Sequence, residues 1–155
     1  MQSTPAASTM RAPMVEALVR AEIPVMGHIG LTPQSVHALG GFRVQGRDDE
    51  AARLLVDGAL AIEAAGAFAV VVEGVPEKVG AAVTDALGVP TIGIGAGPHC
   101  DGQVLVLHDL LGITPHTAKF VRRYASLAEE ATAAVAAFAA DVRSGGFPAD
   151  AEAYH

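Results

Sequence analysis

The chain has no tryptophan, one cysteine, only 5% aromatic residues and few basic ones. Each shortage narrows the possibilities. A single cysteine, Cys100, rules out an internal disulfide and any multi-cysteine zinc site, and it is compatible with a reducing cytoplasm, the expected location. Ten lysines and arginines against 17 acids leave a formal charge of −7, and the longest basic block is Arg122-Arg123. Phosphate backbones are bound by clustered cations, so no nucleic-acid partner is expected. No apolar run approaches the roughly 20 residues of a membrane span, and no membrane partner is expected. What is plentiful is Ala, Val, Leu and Gly: the chain is 51% hydrophobic with 17 glycines over 155 residues. That composition suits tightly packed βα units better than an aromatic-rich sandwich.

Residues 1–12 read as a polar, disordered leader, and 13–155 as one partial barrel domain with C-terminal helices. Helices are expected at Pro13–Ala21, at Asp49–Ala65 with Asp48 as N-cap and Gly66 beyond its end, and at Pro76–Leu87 closed by Gly88. Two more are expected at Thr117–Tyr124 and Leu127–Arg143. The second carries an apolar stripe, Leu127, Ala131, Val135, Phe138 and Val142, that reads as core or interface. Strands are expected at Ile23–His28, Phe68–Glu73, Thr91–Ile94 and Gln103–Asp109. Between Gly30 and Arg47 the pattern gives only a long ordered loop, of the kind that often serves function. Helices alternate with strands across short joints, the signature of a parallel α/β fold. Four strands are half the number of a (β/α)8 barrel.

Three of these strands end in polar side chains: His28, Glu73, and the pair His108-Asp109. If the strands are parallel neighbours, these groups converge on one rim. Glu73 stands out because the run before it, Phe68-Ala-Val-Val-Val-Val, should be dry. A carboxylate there is costly without a partner or a task, and removing a proton is such a task. His28 and His108 can equally be hydrogen-bonded structural residues. Gly93-Ile-Gly-Ala-Gly97 invites a dinucleotide-binding reading, but Pro98 and the expected strand after it oppose the helix that reading needs. The spacings of His28, His37, His99, His108 and His116 match no zinc pattern. Lys119, Arg122 and Arg123 read as a solvated face, with anion binding as a lesser alternative.

Several longer motifs occur in order: Gly27-His-Ile-Gly-Leu-Thr-Pro-Gln-Ser35, Gly40-Gly-Phe-Arg-Val-Gln-Gly-Arg47, Val72-Glu-Gly-Val-Pro76, Ile92-Gly-Ile-Gly-Ala-Gly97, Cys100-Asp-Gly-Gln-Val-Leu-Val-Leu-His-Asp109 and Gly146-Phe-Pro-Ala-Asp150. From about Ile23 onward the chain resembles the second half of ketopantoate hydroxymethyltransferase. The resemblance implies the last four strands of a (β/α)8 TIM barrel of the phosphoenolpyruvate/pyruvate type, in a homo-oligomer. It implies hydroxymethyl transfer from 5,10-methylenetetrahydrofolate to 3-methyl-2-oxobutanoate, giving 2-dehydropantoate for coenzyme A synthesis, with Mg2+ holding the oxo acid. The matching motif makes Glu73 the general base, and His28 would bind or orient substrate or base. The Gly40–Arg47 loop and the Gly95–Gly102 turn would shape the folate or substrate entrance. The family's metal-binding aspartates belong to its first half. Before Gly27 the only acids here are Glu16 and Glu22, in no matching motif, so no metal ligand is expected in this chain. The expected partner is therefore the missing N-terminal half or a further copy. The competing reading is a truncated, non-catalytic homologue that acts as an oligomerisation or interaction module.

Overall fold

The computed structural model describes residues 7–32 and 44–154. Two units divide the chain near Val104. The first holds α1 (Ala7–Arg20), β1 (Met26–Gly30), α2 (Asp49–Ala64), β2 (Ala69–Glu73), α3 (Glu77–Ala86), β3 (Thr91–Ile94) and β4 (Gly102–Gln103). Its four strands are all parallel and lie in the order of the sequence, β1-β2-β3-β4. Such an order needs a crossover between each pair, and α2 and α3 supply the first two. This is the half-barrel arrangement that the alternation of elements predicts.

Local chemistry sets the boundaries. The Asp48 carboxylate accepts from the Ala51 amide at 2.8 Å and starts α2, as expected of an N-cap. Gly66, with φ 98°, turns the chain out of that helix and into β2. Pro76 precedes the first residue of α3, where its missing amide costs nothing. The core lies between sheet and helices. Ile29, Val70 and Val72 point to one side and pack with Val15 of α1, Ala59 and Ile62 of α2, and Val79 and Val83 of α3. Every helix of this unit therefore covers the same face of the sheet. That distinguishes half of a barrel, with helices outside, from a doubly wound sheet covered on both faces.

Some expectations fail. Helix α1 begins at Ala7, ahead of the expected start at Pro13, and Pro13 lies inside the helix at the cost of one backbone bond. Residues 1–6 lie outside the described residues. The expected strand Gln103–Asp109 is cut to β4, continued by one bond from the Val104 amide to the Gly93 carbonyl. Among the described residues β4 pairs with β3 only, so no second neighbour prolongs the ladder there.

The second unit holds a short α4 (Leu107–Leu110), α5 (Leu127–Ser144) and a 3-10 turn at Asp150–Glu152. His108 and Asp109 thus belong to α4 and not to a strand end. The expected helix Thr117–Tyr124 is an irregular loop. Arg123 donates to the Thr114 and Pro115 carbonyls at 2.9 and 2.8 Å, and the Tyr124 amide donates to the Leu110 carbonyl. These bonds fold the segment back on itself where a helix would carry it forward. Helix α5 ends at Gly145 in the left-handed conformation. Its stripe residues Val135, Phe138 and Val142 are exposed, so within this chain the stripe is not core.

Candidate active site

Glu73 is the last residue of β2, at the carboxyl end of the sheet. Val70 and Val72 point into the helix-covered core and are fully buried, so by alternation Val71 and Glu73 point to the opposite face. In register with them are His28 and Ile92 beside Val71, and Gly30 and Ile94 beside Glu73. His28 therefore lies one layer below Glu73 on the same face. Its Nε2 comes within 2.9 Å of Glu73 Oε2, with the histidine side chain 33% and the glutamate 15% exposed. The contact is close but not aligned as a hydrogen bond, and Nε2 is buried with no other partner among the described residues. A small rotation of either side chain would make the bond. The arrangement is a half-buried carboxylate with one donor or acceptor held ready beside it.

The surrounding backbone fixes the position of Glu73. The Leu31 amide donates to the Glu73 carbonyl at 2.8 Å as the chain leaves β1. Gln45 returns to the same place, its amide donating to the Gly74 carbonyl at 2.9 Å. The long loop expected between Gly30 and Arg47 thus starts and ends on two successive carbonyls, those of Glu73 and Gly74. Residues 33–43, including most of the Gly40–Arg47 motif and His37, lie outside the described residues. Gly30 has φ 85°, and a Cβ there would run into the Glu73 carbonyl oxygen, so only glycine allows this approach.

The glycine-rich turn after β3 is tied down by contacts that sequence reasoning missed. The Asp101 carboxylate accepts from the Thr91 amide at 2.8 Å and from the Thr91 hydroxyl at 2.9 Å. These bonds hold its pKa below the ordinary carboxylate value, the Thr91 amide contributing most. The turn is further held by Gln103, which donates to the Gly97 carbonyl at 3.0 Å, and by a 3.0 Å contact between His99 Nε2 and Glu77 Oε1. The available signal was an Asp before a Gly in a turn, which suggests a local side-chain bond but not its partner ten residues back. No helix starts after Gly93–Gly97. The chain passes through the turn into β4, and the dinucleotide reading is set aside.

Of the sequence candidates, the structure brings His28 and Glu73 together. His108 lies in the second unit, on α4. Among the described residues no three His, Cys, Asp or Glu side chains are grouped to hold a metal. Mg2+ needs several oxygen ligands, and at this rim the described acidic group is Glu73 with an imidazole against it. These residues alone do not fit magnesium. Among the described residues no helix is long and apolar enough to cross a membrane.

Comparison with known proteins agrees with the motifs. The model of the ketopantoate hydroxymethyltransferase family matches residues 5–150, beginning well before Ile23, so residues 5–12 are part of the match as well. The chain is 59% identical to the 3-methyl-2-oxobutanoate hydroxymethyltransferase of Methylobacterium sp. (strain 4-46) over 145 residues, 93% of this chain and 50% of that protein. The enzymes of that name from Pelobacter propionicus and Thermobifida fusca are 54% and 59% identical over 92% and 90% of this chain, and over 53% and 50% of their own lengths. The chain spans about half the length of the curated relatives it matches. With a family match across nearly all its residues and a parallel half-barrel to go with it, the chain belongs to the ketopantoate hydroxymethyltransferase family.

Proposed function

We infer that this chain supplies the base-bearing half of a hydroxymethyltransferase site acting on 3-methyl-2-oxobutanoate. The observation that carries the reading is the Glu73 carboxylate, at the carboxyl end of a barrel strand with His28 Nε2 at 2.9 Å. Glu73 takes the proton from the β-carbon of the oxo acid, leaving an enolate whose β-carbon bonds to the one-carbon unit of 5,10-methylenetetrahydrofolate; the carbon–nitrogen bonds of that unit break, water supplies its hydroxyl oxygen and tetrahydrofolate leaves. The product is 2-dehydropantoate. His28 is a positioning residue that holds the carboxylate toward the substrate. The Gly95–Gly102 turn, fixed by Asp101 and Gln103, forms one wall of the entrance.

The magnesium that the resemblance implies has no ligand set in the described residues. Its ligands belong to the complementary half of the barrel, and no step of the chain's own chemistry is assigned to it. A general base contributes roughly 10²–10⁴-fold by itself, far less than an enzyme needs, so the chain turns over only when that half is present. A cytoplasmic location is proposed with it, in keeping with a single, free cysteine. The outer edges of β1 and β4, unpaired among the described residues, favour a second reading, a non-catalytic module that associates through them.

The test is deuterium exchange at the β-carbon of 3-methyl-2-oxobutanoate, followed by proton NMR with Mg2+. It is run on the chain co-expressed with the part of the Methylobacterium relative that this chain does not match. Exchange by the pair is expected to fall by about 10²-fold or more in Glu73→Gln. Undiminished exchange in that variant would sink the assignment of the base.

A further inference from the structure

Among the described residues one buried side-chain polar atom lacks a hydrogen bond, and it belongs to the pair at the site: His28 Nε2. Buried polar atoms are nearly always bonded, so an exception needs a reason. The atom lies 2.9 Å from Glu73 Oε2. Both groups come from this chain. Parallel register sets His28 opposite Val71 and Gly30 opposite Glu73, which places the imidazole one layer below the carboxylate whatever else completes the site. Nε2 is already closed off, so no group from outside the chain satisfies it without moving the ring.

The two protonation states of Glu73 ask opposite things of that atom. As an anion the carboxylate only accepts, and it calls for an N–H. Once it has taken a proton it carries an O–H, and it calls for a lone pair. Imidazole offers either at one nitrogen, by carrying its proton on Nδ1 or on Nε2. Turning the carboxyl group about its last torsion, which is broad and roughly two-fold, brings an O–H formed on the substrate side round to Nε2. A contact close in distance but loose in angle suits both states, where a bond locked to one would oppose the other.

We propose that His28 is the second seat of the proton that Glu73 removes. The C–H bond at the β-carbon of the oxo acid breaks, its electron pair stays on the enolate, and the proton goes to the Glu73 carboxylate. The new O–H then breaks as the Nε2 lone pair forms an N–H, which leaves Glu73 an anion again beside an imidazolium ring. Glu73 then takes a different proton from water, the ring returns to neutral by giving its Nδ1 proton to water, and the proton first removed need not go back to carbon. Glu73 by itself offers one seat and hands the same proton back. The inference deepens the reading of Glu73 as the base and rests on it.

Deuterium washout tests it. Substrate with deuterium at the β-carbon is turned over in ordinary water with 5,10-methylenetetrahydrofolate and Mg2+, by the chain co-expressed with the part of the Methylobacterium relative that it does not match. Proton NMR reads the deuterium lost from the remaining 3-methyl-2-oxobutanoate against the 2-dehydropantoate formed. His28→Gln keeps a hydrogen-bonding group in place but takes up no proton, and it is expected to lower that ratio by about tenfold or more. Washout and product falling together, with the ratio unchanged, overturns the proposal and leaves His28 a positioning residue only. A second measurement needs no turnover. In the full chain alone, nitrogen NMR of the imidazole is expected to show the His28 Nε2 resonance moving in Glu73→Gln, and a resonance that does not respond overturns the pairing. The base assignment fails by a different sign, washout undiminished in Glu73→Gln, so the two readings are told apart.

Discussion

Glu73 is held by neighbours on three sides: a dry strand behind it, an imidazole beneath it and two returning backbone amides around its peptide. Replacing His28 with Ala in the assembled enzyme should lower kcat by up to about 10²-fold with little change in KM, because orientation of the base is lost while substrate contacts remain. His28→Gln should recover part of the loss. Steady-state kinetics of both variants decides it, since a KM effect of the same size would make His28 a substrate ligand. Gly30→Ala should destabilise the fold by about 1–2 kcal/mol from the left-handed backbone alone, and by more from the collision with the Glu73 carbonyl; urea melts would show it. Asp101 gives a pH signature. Its pKa is lower in the folded chain than the ordinary 3.8. Its contribution to stability is therefore present above that value and is lost as pH falls through the depressed one. Asp101→Asn should flatten the fall in stability on acidification from about pH 5 downward.

Helix α3 and the turn after β3 approach so closely that a Cβ on Gly80 would collide with the Ala96 carbonyl oxygen. Gly80→Ala gains about 1 kcal/mol of helix propensity, but α3 must move off the turn, at about 1–3 kcal/mol. The expected net effect is destabilisation, measured as a lower Tm. The helices and inner strands of the first unit were legible in the sequence because their signals are local: Asp48 as a cap, Gly66 as a stop, an apolar run closed by Glu73. The failures share a cause. Strand β4 and the loop at Thr117–Tyr124 depend on what lies beside them, and neither an absent sheet neighbour nor an arginine reaching back to Thr114 leaves a periodic mark.

Taken whole, the described part of the first unit is a four-stranded parallel sheet with its helices packed on one face. The core of the unit is small-residue packing around Val70, Val72 and Val83, all fully buried. Val72→Ala, directly beneath the site, should cost about 2 kcal/mol by lost burial and the cavity left behind.

The sequence by itself determined the class of fold, the order of the first three strands and the position of the carboxylate, because apolar runs, caps and turn glycines act over a few residues. Its motifs also carried the family resemblance. Tertiary structure alone decided that His28 lies under Glu73, that Asp101 clamps the start of β3, and that the long loop is anchored at both ends on the successive carbonyls of Glu73 and Gly74. These contacts join residues 10 to 45 positions apart, and register between strands sets them. Register is fixed when all the strands bury their helix-facing side chains together, which no short stretch of sequence records.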